Sequence, residues 1–155
     1  MQVDAVDRRI IALLSEDARR SYADIGALVG LSAPAVKRRV DRLRDGAVIT
    51  RFTTVVDPAA LGWATEAFVE LFCRGRTSTA AIAADLRNHP EVVAAYSVTG
   101  EADALVHLRT ESTGHLEETL ERIRASPITD HTRSVIVLSR LIDRPPGPAP
   151  GASLD

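Results

Sequence analysis

The sequence predicts an α+β protein in two parts, a bundle of three short helices followed by a split βαββαβ sheet domain, joined by a short hinge. Three observations carry this reading. Apolar residues recur at helical spacing up to Gly46 and switch to the alternating, β-branched pattern of strands from Val48 onward. Turn and breaker residues stand between the periodic segments at Gly30, Gly46, Asp57-Pro58, Gly62, His89-Pro90, Gly100 and Pro127. Charge is divided unevenly: residues 1–62 hold ten Lys/Arg against eight Asp/Glu, and residues 63–155 hold nine against thirteen, so a polyanion would meet the front half.

Asp4 is placed to cap a first helix in which Val6, Ile10, Leu13 and Leu14 face inward, while Asp7, Arg8 and Arg9 face water; it should end near Ala18. Ser21, with Asp24 three residues later, reads as a capping box opening a second helix through Tyr22, Ile25, Leu28 and Val29. Gly30 ends that helix, and only Leu31 separates it from Ser32, a good cap whose hydroxyl can accept from an amide one turn on. So tight a junction is the turn of a helix-turn-helix. In the third helix Pro34 occupies the first turn, where its missing N–H costs nothing, and Val36, Val40 and Leu43 form a narrow stripe for packing. Its other faces carry Lys37, Arg38, Arg39, Arg42 and Arg44 against only Asp41 and Asp45. A capped, basic, amphipathic helix directly behind another short helix suits a recognition helix, which packs on one side and meets phosphates and base edges on the other. The competing reading is a solvated helix face that happens to be basic.

Residues 1–47 are thus read as a (winged) helix-turn-helix domain and residues 48–63 as a linking strand and hinge, with residues 48–56 β-branched and Arg51 exposed upon them. Residues 64–143 form the second domain. A strand over 66–73 places Ala67, Val69, Leu71 and Cys73 on one face, with Phe68 and Phe72 on the other. A helix over 78–88 carries Ile82 and Leu86, strands follow over 92–99 and 104–109, Ser112 caps a helix with Leu116, Leu120 and Ile123, and a last strand runs from about 132 to 142. The order is βαββαβ, the ferredoxin-like arrangement. Val135 and Val137 fall on one face of the last strand and Ile136, Leu138 and Ile142 on the other, so that strand wants cover on both sides. Two helices can cover only one face of the sheet, which implies a second copy on the other and makes this a dimerisation domain. Residues 144–155 are rich in proline and glycine and are expected to be disordered.

Composition excludes several classes. Hydrophobic content of 45% with 26% charged residues fits a globular chain rather than a disordered one. No apolar run approaches the ~18 residues of a membrane span, and no signal-peptide pattern opens the chain. Cys73, the one cysteine, cannot form an internal disulfide, which points to the cytoplasm. A lone strand cysteine reads as a small apolar residue rather than a redox sensor. There is no Gly-rich phosphate loop, no G-x-S-x-G, and His89, His107, His115 and His131 are too far apart for a helical metal site, so neither a cofactor, a metal nor an enzyme is expected.

Three segments, DAVDRRIIALLSEDAR, IGALVGLSAPAVKRRVDRLRDGAVI and EVVAAYSVTGEADALVHL, occur in order and at matching spacing to those of the Lrp/AsnC (feast/famine) regulators, which the chain resembles over nearly its whole length apart from the tail. The resemblance implies a DNA-binding helix-turn-helix, a linking strand and a ferredoxin-like effector domain, in proteins that are typically dimers, often assembled to octamers, and respond to amino acids. It also implies a cytoplasmic, nucleoid-associated transcriptional regulator. Two departures stand out. Ala47 occupies the place where the family usually has glycine before Val-Ile, and Ala104 replaces an aromatic after the TG-x-x-D turn. Some sirohaem decarboxylases resemble the same family, so a tetrapyrrole enzyme using His107 or His131 is the alternative function. An adaptor whose helix-turn-helix no longer binds DNA is a second.

For duplex DNA, Ser32, Ala33, Pro34, Lys37 and Arg38 are assigned to the groove. Arg38 is the candidate for a bidentate contact to guanine, and Ala33 and Pro34 for a thymine methyl. Arg39, Arg42, Arg51, Ser21 and Tyr22 are assigned to phosphates, with Arg39 alternatively paired to Asp41, Asp45 or an acid of the first helix. For the effector, the turn Thr99-Gly100-Glu101-Ala102-Asp103 offers backbone N–H groups to a carboxylate and Glu101 or Asp103 to an ammonium, and the resemblance adds Thr132 and Ser134 across a cleft between subunits. The plainer reading is that Gly100 and Asp103 only build a tight hairpin.

Overall fold

A computed structural model of the chain describes residues 2–142, so the expectation of a disordered 144–155 tail lies outside the described residues. The chain divides into two compact units, one running to Val55 and the other spanning Val56–Leu141.

The first unit holds α1 (Ala5–Glu16), α2 (Tyr22–Val29) and α3 (Ala33–Asp45). Its core is Ile10, Leu13, Leu14, Ile25, Val36 and Val40, with Val6, Tyr22, Val29, Leu31 and Ile49 packed around it. Asp4 caps α1 through a full capping box with Asp7. Asp7 corrects the sequence reading: expected in water, it is completely buried. The spacing of Asp7, Ile10 and Leu14 already puts all three on one face of α1, and the carboxylate is tolerated there because arginines of α3 meet it. Leu28, expected in the core, is 56% exposed. The buried face of α2 runs through Ile25, Gly26 and Val29, and Leu28 falls outside it.

Ser32 precedes α3 in an extended conformation, but its side chain makes no capping bond, contrary to expectation. At the other end Gly46 has φ −84°, and Ala47 takes the left-handed turn with φ 55°. The Val48 amide donates to the Leu43 carbonyl and the Ala47 amide to the Arg44 carbonyl, each at 2.9 Å. That is the Schellman ending, with an alanine in the position that favours glycine.

Residues 48–56 form no strand, which corrects the predicted linking strand and leaves the helix-turn-helix without a wing among the described residues. The segment has the composition of a strand but, among the described residues, no neighbouring strand to complete its ladder. A single 3-10 turn, Pro58–Leu61, follows, capped by Asp57 and closed by Gly62 at φ 89°.

The second unit follows the predicted order: β1 (Thr65–Cys73), α4 (Thr79–Leu86), β2 (Val92–Ser97), β3 (Ala104–Thr110), α5 (Thr113–Arg124) and β4 (Thr129–Ile136). The antiparallel sheet has the order β2-β3-β1-β4. β4 begins and ends earlier than predicted, in register with its partner β1: Thr129 pairs Cys73 at one end, and at the other Ile136 pairs Ala67 and Val137 donates to Glu66, next to the first residue of β1. Both helices cover one face, burying Ala67, Val69, Leu71, Val106 and Leu108 against Ile82, Leu86, Leu116, Leu120 and Ile123. The other face carries cross-strand pairs with no covering element among the described residues. Phe68 stacks on His107 with centroids 4.7 Å apart and Phe72 on His131 at 4.1 Å. Arg133 lies over the Phe72 ring and pairs with Glu70. Glu66 meets His107 at 2.5 Å as well as Arg109 and Arg140.

Glu91, just before β2, is buried with a charge. Burial acts to raise its carboxyl, but hydrogen bonds from Arg122, from its own backbone and from His115 (3.0 Å) outweigh that and hold it at about 2. A carboxyl depressed in the folded state stabilises above its unfolded value and loses that contribution as pH falls through the folded one. The stabilisation of neutral pH over strong acid is on the order of 2–3 kcal/mol, allowing for screening of the half-exposed Arg122. Urea unfolding followed through Trp63 should show wild type ahead of Glu91→Gln at pH 7, with the gap closing between pH 4.5 and 2; a gap that stays constant with pH contradicts the assignment. Ala47→Gly should stabilise the first unit by about 0.5–1 kcal/mol, because relief of about 1–2 kcal/mol of left-handed strain exceeds the entropic cost of a new glycine. Slower hydrogen exchange of α3 amides checks it, and faster exchange contradicts it.

Candidate nucleic-acid interface and effector cleft

The turn that presents α3 is set by a glycine the sequence reading did not single out. A Cβ on Gly26 would lie 2.3 Å from the Leu31 carbonyl oxygen, whose residue in turn donates its amide to Gly26. Only a bare backbone lets α2 and the entry to α3 approach this closely. Gly30, at φ 70°, then reverses the chain.

α3 buries Val36, Val40 and Leu43 and leaves Ser32, Pro34, Lys37 and Arg38 exposed, with Ala33 half-buried beside them. The expected groove-facing residues therefore share one free side of the helix. Because the Ser32 hydroxyl is not consumed as a cap, it remains available there. Lys37 is held by Asp41 one turn on, at 2.6 Å. Ser21 is more committed: its hydroxyl accepts from the Asp24 amide and donates to the Asp24 carboxylate at 2.6 Å. Tyr22 is half-buried against the core, and Arg51 is exposed.

Arg39 and Arg42 have partners inside the unit. Arg39 reaches Asp4 at 2.6 Å and Asp7 at 2.8 Å, and Arg42 reaches the other Asp7 oxygen at 2.5 Å. Of the alternatives for Arg39, the acid of the first helix is the one found. The Arg39 hydrogen bond holds the Asp4 carboxyl below its ordinary value. Arg38, Arg39 and Arg42 line one open groove with Leu31 and Ala35.

In the second unit Thr99, Gly100 and Glu101 are exposed, and Gly100 takes φ 122° with open space where a side chain would stand. Asp103 is engaged structurally: its carboxylate accepts from the Cys73 amide at 2.7 Å and its own amide donates to Leu71 at 2.9 Å. Thr132 accepts from Arg124 at 2.8 Å. Leu71 pairs with Ala104 on one side and Thr132 on the other, so the two halves of the expected effector set flank the end of β1 rather than converging. Ser134 lies opposite Val69 on the edge strand, exposed. Asp103 and Ala104 also line a small cleft between α4 and β2, with Ile82, Leu86, Tyr96 and Ser97. The small Ala104 side chain, 2% exposed, stands where relatives are expected to carry an aromatic.

Comparison with known proteins decides the family. The AsnC-type helix-turn-helix domain matches residues 3–44 and the Lrp/AsnC ligand binding domain matches residues 66–147. The chain belongs to the Lrp/AsnC family. Among its Lrp/AsnC relatives is the HTH-type transcriptional regulator Rv2324 of Mycobacterium tuberculosis, 52% identical over 94% of this chain and 98% of the relative. The solved structure of AsnC from E. coli superposes with a TM-score of 0.88 at 26% identity, covering 93% of this chain and 97% of that one. The feast or famine regulatory protein Rv3291c of M. tuberculosis, solved in complex with L-methionine, superposes with a TM-score of 0.84 at 30% identity, covering 94% and 100%. Lrp/AsnC is a family of transcriptional regulators rather than of enzymes. His107 and His131, the residues of the tetrapyrrole alternative, are both stacked on phenylalanines and bonded to carboxylates. Among the described residues no helix is long and apolar enough to cross a membrane.

Proposed function

We propose that this Lrp/AsnC regulator binds duplex DNA as a two-fold dimer, with α3 in the major groove, and that an amino acid alters its assembly and so its DNA affinity. The observation that carries the DNA half is the free side of α3, where Ser32, Pro34, Lys37 and Arg38 stand clear while Val36, Val40 and Leu43 are fully buried. Arg38 reads guanine, and Arg39, Arg42 and Arg51 meet phosphates. Ser21 and Tyr22 lie at the start of α2, where backbone amides also favour a phosphate.

The dimer is supported by the sheet. Its face away from the helices presents Phe68, Phe72, Leu105 and Val135, and Val135 is 62% exposed. Leu138 and Leu141, beyond β4, are 96% and 90% exposed. Exposed apolar side chains of this size favour a protein partner over water, and a second copy offers the same sheet face in return. Higher assembly, up to the octamer expected of relatives, and a cytoplasmic, nucleoid-associated location follow from the same reading. The effector half is supported by the related protein bound to L-methionine and by the polar groups that flank β1: the Thr99–Asp103 turn on one side, Thr132 and Ser134 on the other. Binding there couples to DNA through linkage.

Gel-shift titration on DNA upstream of the chain's own gene, repeated with a panel of amino acids, tests the reading. Arg38→Ala should lose about 1–3 kcal/mol of discrimination at one base position, whereas Arg42→Ala should weaken binding on every sequence and lower the salt slope by about one. Equal, sequence-independent losses from both substitutions contradict the division of roles. Amino acids that change neither assembly nor affinity contradict the sensing role.

A further inference from the structure

The first turn of α1 spends a buried position on a charge. Asp7 has no exposure, sits in line with Ile10 and Leu14, and would be filled more simply by an apolar side chain. Instead, each of its oxygens meets a different arginine of α3, Arg39 at 2.8 Å and Arg42 at 2.5 Å. Those two arginines, three residues apart on α3, line the open groove beside Arg38. The Arg42 side chain remains 48% exposed and that of Arg39 29%, so neither is enclosed by its contact with Asp7.

Long side chains of this kind ordinarily sample many rotamers, and ordering them at an interface opposes binding. A buried carboxylate that grips both removes that disorder before DNA arrives. We propose that Asp7 is a positioning residue for DNA binding, holding Arg39 and Arg42 over the α3 groove so that their remaining N–H groups meet backbone phosphates. The proposal rests on the DNA-binding reading above and deepens it. It also opposes the simplest electrostatic expectation. Asp7 is a negative charge close to the surface that would meet DNA, and charge alone says that removing it should tighten binding. Positioning says that removing it should loosen binding.

The test is Asp7→Asn, which keeps the shape and loses the charge, measured by fluorescence anisotropy on duplex DNA across a salt series, below the melting temperature of both proteins. The expected result is about tenfold weaker binding at fixed salt, on specific and random duplexes alike, and a salt slope smaller by about one to two. Equal or tighter binding with an unchanged slope overturns the proposal, even if the variant melts earlier, because a purely structural Asp7 would change stability alone. Should Asp7→Asn not fold, Arg39→Gln and Arg42→Gln replace it: each is expected to reduce the slope by about one, and unchanged slopes in both overturn the proposal. Wild-type protein that ignores duplex DNA at low salt would instead remove the DNA-binding reading itself.

Discussion

In a helix-turn-helix of this size, the pose of α3 depends on few contacts. Three apolar side chains, Val36, Val40 and Leu43, are buried from it, and a stripe that narrow resists sliding better than it resists rolling. Asp7 supplies the missing constraint. Its carboxylate crosses from α1 to grip α3 at two points, Arg39 and Arg42, and Asp4 adds a third contact through Arg39. A buried ion pair is weak evidence for stability as such, since desolvation offsets most of the attraction. What it supplies is orientation, because the two oxygens fix a direction that apolar packing leaves free. The close approach at Gly26 and the left-handed turn at Gly30 work to the same end, setting where α3 begins as the ion pairs set how it is turned.

The second unit meets the opposite problem, a sheet with more apolar surface than its helices can cover. The covered face is an ordinary aliphatic core. The uncovered face is a mixed surface, with phenylalanines stacked on histidines and carboxylates bridging to arginines. Such a face tolerates water while a chain is alone and still offers flat aromatic area to a partner. The polar groups at the end of β1 are largely occupied with holding the strand ends: Asp103 closes β1 and Thr132 receives Arg124. An effector arriving there would exchange hydrogen bonds rather than find idle ones, which is how a small ligand can bias the packing of subunits.

Much of the fold was legible because periodicity and punctuation agreed. Gly30 next to Leu31 and Ser32 announced the turn, and Ser112 caps the last helix as its position suggested. The strand order followed from the βαββαβ pattern. The misses share a cause, which is that partners distant in sequence decided them. Asp7 reads as solvent-facing until Arg39 and Arg42 arrive from α3. Residues 48–56 read as a strand by composition but have no ladder partner among the described residues. β4 ends close to where its antiparallel partner β1 begins rather than where its own β-branched run ends. Ala47 was noticeable as a departure from the family's glycine, and its φ of 55° puts an alanine in a conformation that favours glycine. Of the site, the exposed side of α3 was readable from spacing. The pairing of Arg39 with an acid of the first helix was among the readings the sequence allowed; the pairing of Arg42, and the occupied state of Asp103 and Thr132, were not, because each depends on an element at least eight residues away in sequence.

The central claim is that two copies of α3 are presented together at a fixed separation. The most direct measurement is the affinity of the wild-type chain for a duplex it binds, as the spacing between half-sites is lengthened by about 5 and then about 10 base pairs, half a turn and a full turn of the double helix. The account predicts that binding falls sharply with the half-turn insertion, which places one half-site on the wrong side of the duplex, and recovers at least in part with the full turn. Affinity indifferent to the insertion would contradict it.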